Sequence, residues 1–375
     1  MKKFAIIAAA LLIVCGCDRP GYSWEEDLQY RLGVDFTLTR EQVKEAIQEY
    51  IPEVTDEQID KCTASGKLEA MEINGEQRWY RRTPGNLFRV DPECKAAKDA
   101  QTVSTSEKVD VCGNQLSKTD AIQYGNLKAI ITGARESGNP IQAGNPIHVK
   151  YTLKVKADAV PAGETVKCWL PYPRTDVPRQ QDVKFIGASE EKYIFSDPEC
   201  PHSTLYMEKV AVAGEPTVFT EEFEYTPHGE WYDLPAMRDQ ILPYDTSSEL
   251  YKHYTAEREK HIVFSDRMRK LAAELTEGLE NPYDKAWAIF TWINDNFPWA
   301  GAREYSTLEN IPEYVLDNGH GDCGQVTLLL VTLCRIEGIP ARFQSGFLMR
   351  PWGDGMHDWG EIYFEGIGWV PADMS

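Results

Sequence analysis

Cys323 stands in a glycine-rich turn, Gly319-His320-Gly321-Asp322-Cys323-Gly324-Gln325. The eleven residues Val326 to Ile336 (VTLLLVTLCRI) follow it, apolar almost throughout and stopped by Gly338 and Pro340. A turn feeding a buried helix sets Cys323 at or near the helix N-terminus. There the unpaired backbone N–H groups and the positive end of the helix dipole favour a thiolate over a thiol. Further along come His357 and Asp373, each in a strand-like segment. Cysteine, histidine and aspartate in that order are the parts of a thiol nucleophile, its base, and the group that orients the base.

The spacing of the last two residues sets a geometric condition. In His357-Asp358-Trp359-Gly360-Glu361-Ile362-Tyr363-Phe364, period two places His357, Trp359, Glu361 and Tyr363 on one face. Gly368-Trp369-Val370-Pro371-Ala372-Asp373 reads as the returning strand. His357 and Asp373 share a face only if the hairpin loop has an odd number of residues, as with Glu365-Gly366-Ile367. Asp373 then opposes Trp359 and lies diagonal to His357, within side-chain reach. A two-residue turn would put the pair on opposite faces.

His320 is a rival base. It lies on the same turn as Cys323, whereas a base needs to approach the sulfur from a second element and be oriented by a third group, which favours His357. Asp322 would raise the neighbouring thiol's pKa unless its carboxylate points away.

With these residues in place, segment 281–375 resembles the transglutaminase-like superfamily, whose fold is related to that of papain. The strings that carry the resemblance are GDCGQVTLLLVTLCRIEGIPARFQSGF (321–347), HDWGEIYF (357–364) and GWVPAD (368–373). It implies Cys323 as nucleophile, His357 as base and Asp373 as orienter, and bacterial members often carry β-sandwich domains ahead of the catalytic one. The Cys323 backbone N–H is one oxyanion donor, and Trp299 and Tyr305 in the preceding loop are candidates for a second. The chain stops two residues after Asp373, which reads as a domain truncated at its C-terminus. An inactive scaffold or binding lipoprotein is therefore the alternative to an enzyme.

The address is in the first residues. Met1-Lys2-Lys3 and the apolar run Phe4 to Val14 form a signal peptide too short to span a bilayer permanently. Val14-Cys15-Gly16-Cys17 resembles a bacterial lipobox, implying cleavage after Gly16 and a diacylglyceryl anchor on Cys17, with plain secretion as the alternative. The net charge of −20, more negative once Lys2 and Lys3 are removed, disfavours nucleic acid and anionic headgroups as partners. Attachment then falls to the lipid, and the expected partner is a peptide or protein substrate. No cofactor is expected. Beyond Cys15 and Cys17 there remain Cys62, Cys94, Cys112, Cys168, Cys200, Cys323 and Cys334. The number is odd, so at least one is free or paired between chains. Spacing suggests Cys94–Cys112 and Cys168–Cys200, while Cys62 and Cys334 read as small buried hydrophobes. None has the paired spacing of a structural zinc site, so no metal is expected.

The elements that must position the site read as a multidomain α+β chain. After the signal peptide (1–16) comes a tether (17–38). A small α+β domain (39–118) then holds two capped helices, opening at Thr39 and Thr55, and a hairpin through Asn74-Gly75. Helix, helix and hairpin is also the order of a winged-helix module, but an acidic exported chain suits a packing or partner-binding role better. Residues 85–118 read as irregular. The alternating stretches 147–155, 166–170, 205–210 and 218–225 mark a β-sandwich domain (119–232). Its His148, His202 and His228 read as surface or core histidines. A connector (233–262) with a short helix precedes the transglutaminase-like domain (263–375). Helices there open at Ser265-Asp266 and Asn281-Pro282, followed by a long loop to the cysteine turn.

Overall fold

The computed structural model describes residues 23–101, 108, 116–200, 202–350 and 352–374. The expected signal peptide, Cys15, Cys17 and Cys112 lie outside them, so the suggested Cys94–Cys112 pair falls outside the described residues. The chain divides into two compact units, 1–87 with 302–309, and 88–301 with 310–375.

In the first unit, Ser23 and Glu26 form a capping box that starts α1 (Trp24–Asp35), which runs into β1 (Phe36–Leu38). Most of the expected tether is thus folded, because Leu32 and Phe36 are buried in a cluster with Ile73 and Tyr80. The expected boxes open α2 (Arg40–Gln48) at Thr39 and α3 (Asp56–Ala64) at Thr55. Strands β2 (Ala70–Ile73) and β3 (Glu76–Tyr80) form the hairpin. Asn74 and Gly75 both take positive φ there, 52° and 82°, as a primed turn requires. The sheet order is β1-β3-β2. Segment 302–309 belongs to this unit: Arg303 pairs with Glu69 at 3.3 Å, and the Ala302 carbonyl accepts from the Tyr80 hydroxyl.

Residues 85–118, expected to be irregular, hold most of α4 (Thr83–Val90) and all of α5 (Pro92–Asp99), the latter capped by Asp91. Segment 119–232 is also not all β. It opens with the long helix α6 (Lys118–Ser137) and the short β4 (Ile141–Gln142). Then come β5 (Ile147–Val155), β6 (Thr165–Pro171), β7 (Gln180–Ala188), β8 (Ile194–Phe195), β9 (Thr204–Val210) and β10 (Thr217–Pro227). Two sheets, β5-β10-β7 and β6-β9-β8, close over Cys168, Leu170, Leu205, Met207 and Phe219. Cys168 is buried among these side chains and Cys200 is exposed, each unpaired, so the suggested Cys168–Cys200 bridge is not formed. Period two on β6 turns Cys168 inward between outward-facing Lys167 and Trp169.

Strand β11 (Gly229–Glu230) pairs with β4. Helices α7 (Leu234–Met237), α8 (Glu249–Tyr254), α9 (Asp266–Leu275) and α10 (Pro282–Asn296) lead toward the cysteine turn. Within the expected loop lies one more helix, α11 (Ile311–Asn318), capped by Asn310 with proline in its first turn. The site is framed by α12 (Cys323–Ile336) and an antiparallel sheet of β12 (Ala341–Arg350), β13 (Gly353–Phe364) and β14 (Gly368–Ala372), in that order. From Gly324 to Arg335 every residue of α12 is buried. A Cβ on Gly360 of β13 would lie 3.5 Å from Thr327 Cγ2, so helix and sheet pack closely.

Candidate active site

Asp322 is the N-cap of α12. Its Oδ1 accepts from the Gln325 N–H at 3.0 Å, and Gln325 Oε1 accepts from the Asp322 N–H at 3.2 Å. This capping box fixes the Asp322 carboxylate on the helix end and makes Cys323 the first helical residue. Asp322-x-x-Gln325 is the sequence signal for this box. Being first, the Cys323 N–H has no carbonyl four residues earlier within the helix to meet. The turn before it is tight. A Cβ on Gly321 would meet Gln325, Val315 and Val326 side-chain atoms at 3.1–3.2 Å. The Gly321 carbonyl accepts from the Ala300 N–H at 2.9 Å, and Trp299 forms a parallel bridge to Gly321.

The histidine and aspartate come from the sheet. Pairing runs Phe364↔Gly368, Ile362↔Val370 and Gly360↔Ala372 around the three-residue loop Glu365-Gly366-Ile367. That register has the parity that sets Asp373 on the face of His357. His357 Nε2–H donates to Asp373 Oδ2 at 2.8 Å. Nδ1 is left for the thiol, and Cys323 acts on the imidazole together with Asp373. The bond to Asp373, then the bond to Cys323, raises the imidazole pKa from 6.5 to about 10 against the opposing effect of burial. A cysteine at a helix start, a histidine able to take its proton and an acidic group holding the far ring nitrogen can generate and use a thiolate nucleophile.

His320 is buried, and burial pushes its pKa down to about 4, so it is a neutral histidine of the core near neutral pH. Among the oxyanion candidates, Trp299 is placed beside the turn by its backbone bridge to Gly321, with the Arg89 guanidinium 4.6 Å over its ring. Tyr305 lies in a 3-10 turn of segment 302–309, in the first unit and not in the unit that holds Cys323. The sandwich histidines have ordinary surroundings. His148 lies 2.9 Å from Glu222, His228 Nδ1 lies 3.1 Å from the Thr226 carbonyl, and burial and then Arg174 lower the His202 pKa. Among the described residues, no three histidine, cysteine or acidic side chains gather as they would around a metal ion.

Behind His357, the Trp359 ring stacks on the imidazole at 6.2 Å between centroids, with 23° between planes. Glu361 is buried next along the same face and takes bonds from Arg342 Nε at 2.5 Å and Gln344 Nε2 at 2.8 Å. A cavity of about 320 Å³ opens beside this face, walled by Trp359 and Phe347 and, from the sandwich, Tyr172, Phe223 and Tyr225.

Residues 269–374 match the family model of the transglutaminase-like superfamily core. The chain therefore carries a C-terminal transglutaminase-like domain behind its N-terminal helices and sheets. Among curated proteins, the uncharacterised protein YebA of Bacillus subtilis is 27% identical over 128 residues, which make up 29% of this chain and 17% of YebA. The chain thus spans less than a fifth of that relative. Among solved structures, a candidate cysteine protease from Cytophaga hutchinsonii is 18% identical, with a TM-score of 0.48 over 63% of this chain and 77% of that one. The periplasmic domain of TgpA from Pseudomonas aeruginosa is 16% identical, with a TM-score of 0.31 over 63% of this chain and 75% of that one.

Proposed function

We propose that this protein is an exported, membrane-anchored thiol enzyme that acts on peptide or carboxamide bonds through an acyl-enzyme on Cys323. The observation that carries the reading is His357 hydrogen-bonded to Asp373 with its pKa raised by both Asp373 and Cys323, the latter at a helix start. Cys323 Sγ forms a bond to the carbonyl carbon while His357 Nδ1 takes the thiol proton. The oxyanion is met by the Cys323 N–H, with Trp299 as the candidate second donor. Collapse breaks the C–N bond, and the amine leaves with the proton returned by His357. Water then attacks the thioester, His357 takes its proton, and the carboxylic acid is released as Sγ leaves and recovers the proton from His357. Amine attack at that stage would make the same site a transferase. Hydrolysis is favoured because water is always at hand, whereas an amine needs a site that shields the intermediate. The leader at 4–14 and the cysteine at 17 support the bacterial cell envelope as the place of work and lipid as the anchor.

The test is acyl transfer from p-nitrophenyl acetate, with intact-protein and peptide mass spectrometry. The reading expects a burst of nitrophenol and an acetyl thioester on Cys323, absent in Cys323→Ser and turned over faster by water than by added methylamine. A protein that shows no adduct on Cys323 would instead be the inactive scaffold.

A further inference from the structure

The sandwich presents Arg179 to the catalytic sheet, behind the histidine. Arg179 sits at the start of β7, its carbonyl accepting from the His228 N–H at 2.8 Å. Its guanidinium carbon is 4.9 Å from the centroid of the Trp359 ring, and Nη2 is 3.6 Å from Glu361 Oε1. Trp359 lies between His357 and Glu361 along β13, so Arg179 holds the tryptophan from the Glu361 side while His357 stacks on it. The ring has no polar tether. Its buried Nε1 has no hydrogen-bond partner among the described residues. It leans over Gly346, the residue paired with His357 in β12, where an added Cβ would lie 3.3 Å from the Trp359 ring. Stacking and packing alone therefore set the angle of the ring, and a guanidinium on an indole face is a favourable contact of about 0.5–2 kcal/mol.

We infer that Arg179 is a positioning residue. From the sandwich domain it fixes the Trp359 ring, which in turn holds the His357 imidazole against Cys323 and Asp373. The inference rests on the proposed Cys323–His357–Asp373 site and deepens it, since the sandwich then completes the site instead of only preceding it in the chain. Glu361, already held by Arg342 and Gln344, keeps the guanidinium in place; its role is to anchor the clamp.

Charge and position predict opposite signs. The charged or titratable groups acting on His357 are Asp373, just past β14, and Cys323 on α12; Arg179 stands over Trp359 and pairs with Glu361, which also pairs with Arg342. Through electrostatics alone, deleting the Arg179 cation would raise the His357 pKa, because a nearby positive charge disfavours imidazolium. Deleting a clamp loosens both hydrogen bonds that raise it, so the pKa falls toward the ordinary histidine value.

The experiment is the pH profile of Cys323 alkylation by iodoacetamide, read residue by residue by mass spectrometry, with folding checked by circular dichroism. The variants are Arg179→Met, Arg179→Lys, His357→Ala and Lys184→Gln. Lys184→Gln removes a positive charge from the same strand, where Lys184 lies exposed beside Glu224. Met keeps apolar contact with the ring and guards against misfolding. The clamp predicts that in Arg179→Met the pH window of rapid labelling narrows from both ends and the rate near pH 6 falls about tenfold, the equivalent of roughly one pKa unit. Lys should restore part of it, and Lys184→Gln should match the wild type. A folded Arg179→Met with the wild-type profile, or with its upper limb moved to higher pH, overturns the inference while leaving the triad standing. If His357→Ala also labels like the wild type, the triad reading fails and this inference falls with it.

Discussion

Asp373 Oδ2 lies 2.8 Å from His357 Nε2 although the two residues are not opposed in the sheet. Continuing the pairing past Gly360↔Ala372 sets Asp373 opposite Trp359, one diagonal step from His357. The bond therefore depends on the three-residue loop between β13 and β14. It also selects the tautomer, since a carboxylate on Nε2–H leaves Nδ1 as the proposed base. Asp373→Ala should lower acyl-enzyme formation by about 10²–10³-fold. Asp373→Asn, whose Oδ1 can still accept from Nε2–H, should lose only about tenfold. Burst rates on p-nitrophenyl acetate for the two variants check the order.

The same bonds link His357 to stability. Its folded pKa, about 10, exceeds the ordinary 6.5. The stabilisation is fully present below pH 6.5 and is lost as pH rises through about 10. The stability gap between the wild type and His357→Ala should therefore shrink across that window, as read by urea unfolding at pH 6, 8 and 10. A gap that stays constant would mean that the histidine is not held as described.

His320 has the opposite dependence. Burial holds it neutral with a pKa of about 4, so the unfolded chain takes up the proton first as pH falls. The wild type should lose stability from pH 6.5 toward pH 4, by at most about 1.4 kcal/mol per pH unit from this group. His320→Gln should remove that part of the acid sensitivity. Guanidinium titrations at pH 7 and pH 5 compare the two proteins.

Glu221 is buried in the sandwich, and both of its carboxylate oxygens lack a hydrogen-bond partner among the described residues. Desolvation raises its pKa to about 8. The native state therefore keeps a proton that the unfolded chain releases above pH 4.5, and stability falls as pH rises from there to about 8. Glu221→Met should raise stability at pH 8 by about 1–3 kcal/mol and leave Cys323 labelling unchanged. Thermal melts at pH 5 and pH 8 give the difference.

Gly321→Ala tests the packing of the turn. Its Cβ would meet three side chains at 3.1–3.2 Å, one of them the Gln325 of the capping box. The expected cost is about 1–3 kcal/mol, together with slower alkylation of Cys323 as the helix start shifts. A variant with unchanged melting temperature and labelling would show that the turn has slack.

The site lay close to the surface of the sequence because its signals are local. An apolar run behind a glycine turn gives α12, and side-chain parity with an odd loop gives the His357–Asp373 face. The Thr39 and Thr55 caps likewise mark α2 and α3. Elements with little buried apolar surface were hidden. In α6 only Ala121 and Ala134 are buried, while Ile122 and Leu127 are exposed, and Gly125 and Gly133 interrupt the helical pattern. Short α11 rests on an Asn310 cap and Pro312 inside what read as a loop, and α1 on the Ser23–Glu26 box inside what read as a tether. Arg179 carried no signal at all. Its meaning arises only when a sandwich residue meets a strand about 180 positions away, which no local pattern encodes.

The central claim is that Cys323 and His357 form a working ion pair, and cysteine-resolved iodoacetamide labelling against pH tests it most directly. The chain carries its own references. Cys334 is buried with its pKa pushed up to about 12, Cys168 is buried with a pKa of about 11, and Cys200 is exposed. The account predicts that Cys323 labels faster than exposed Cys200 at neutral pH, and that His357→Ala abolishes this. Slow labelling of Cys323 that tracks Cys200 and ignores the loss of His357 would contradict it.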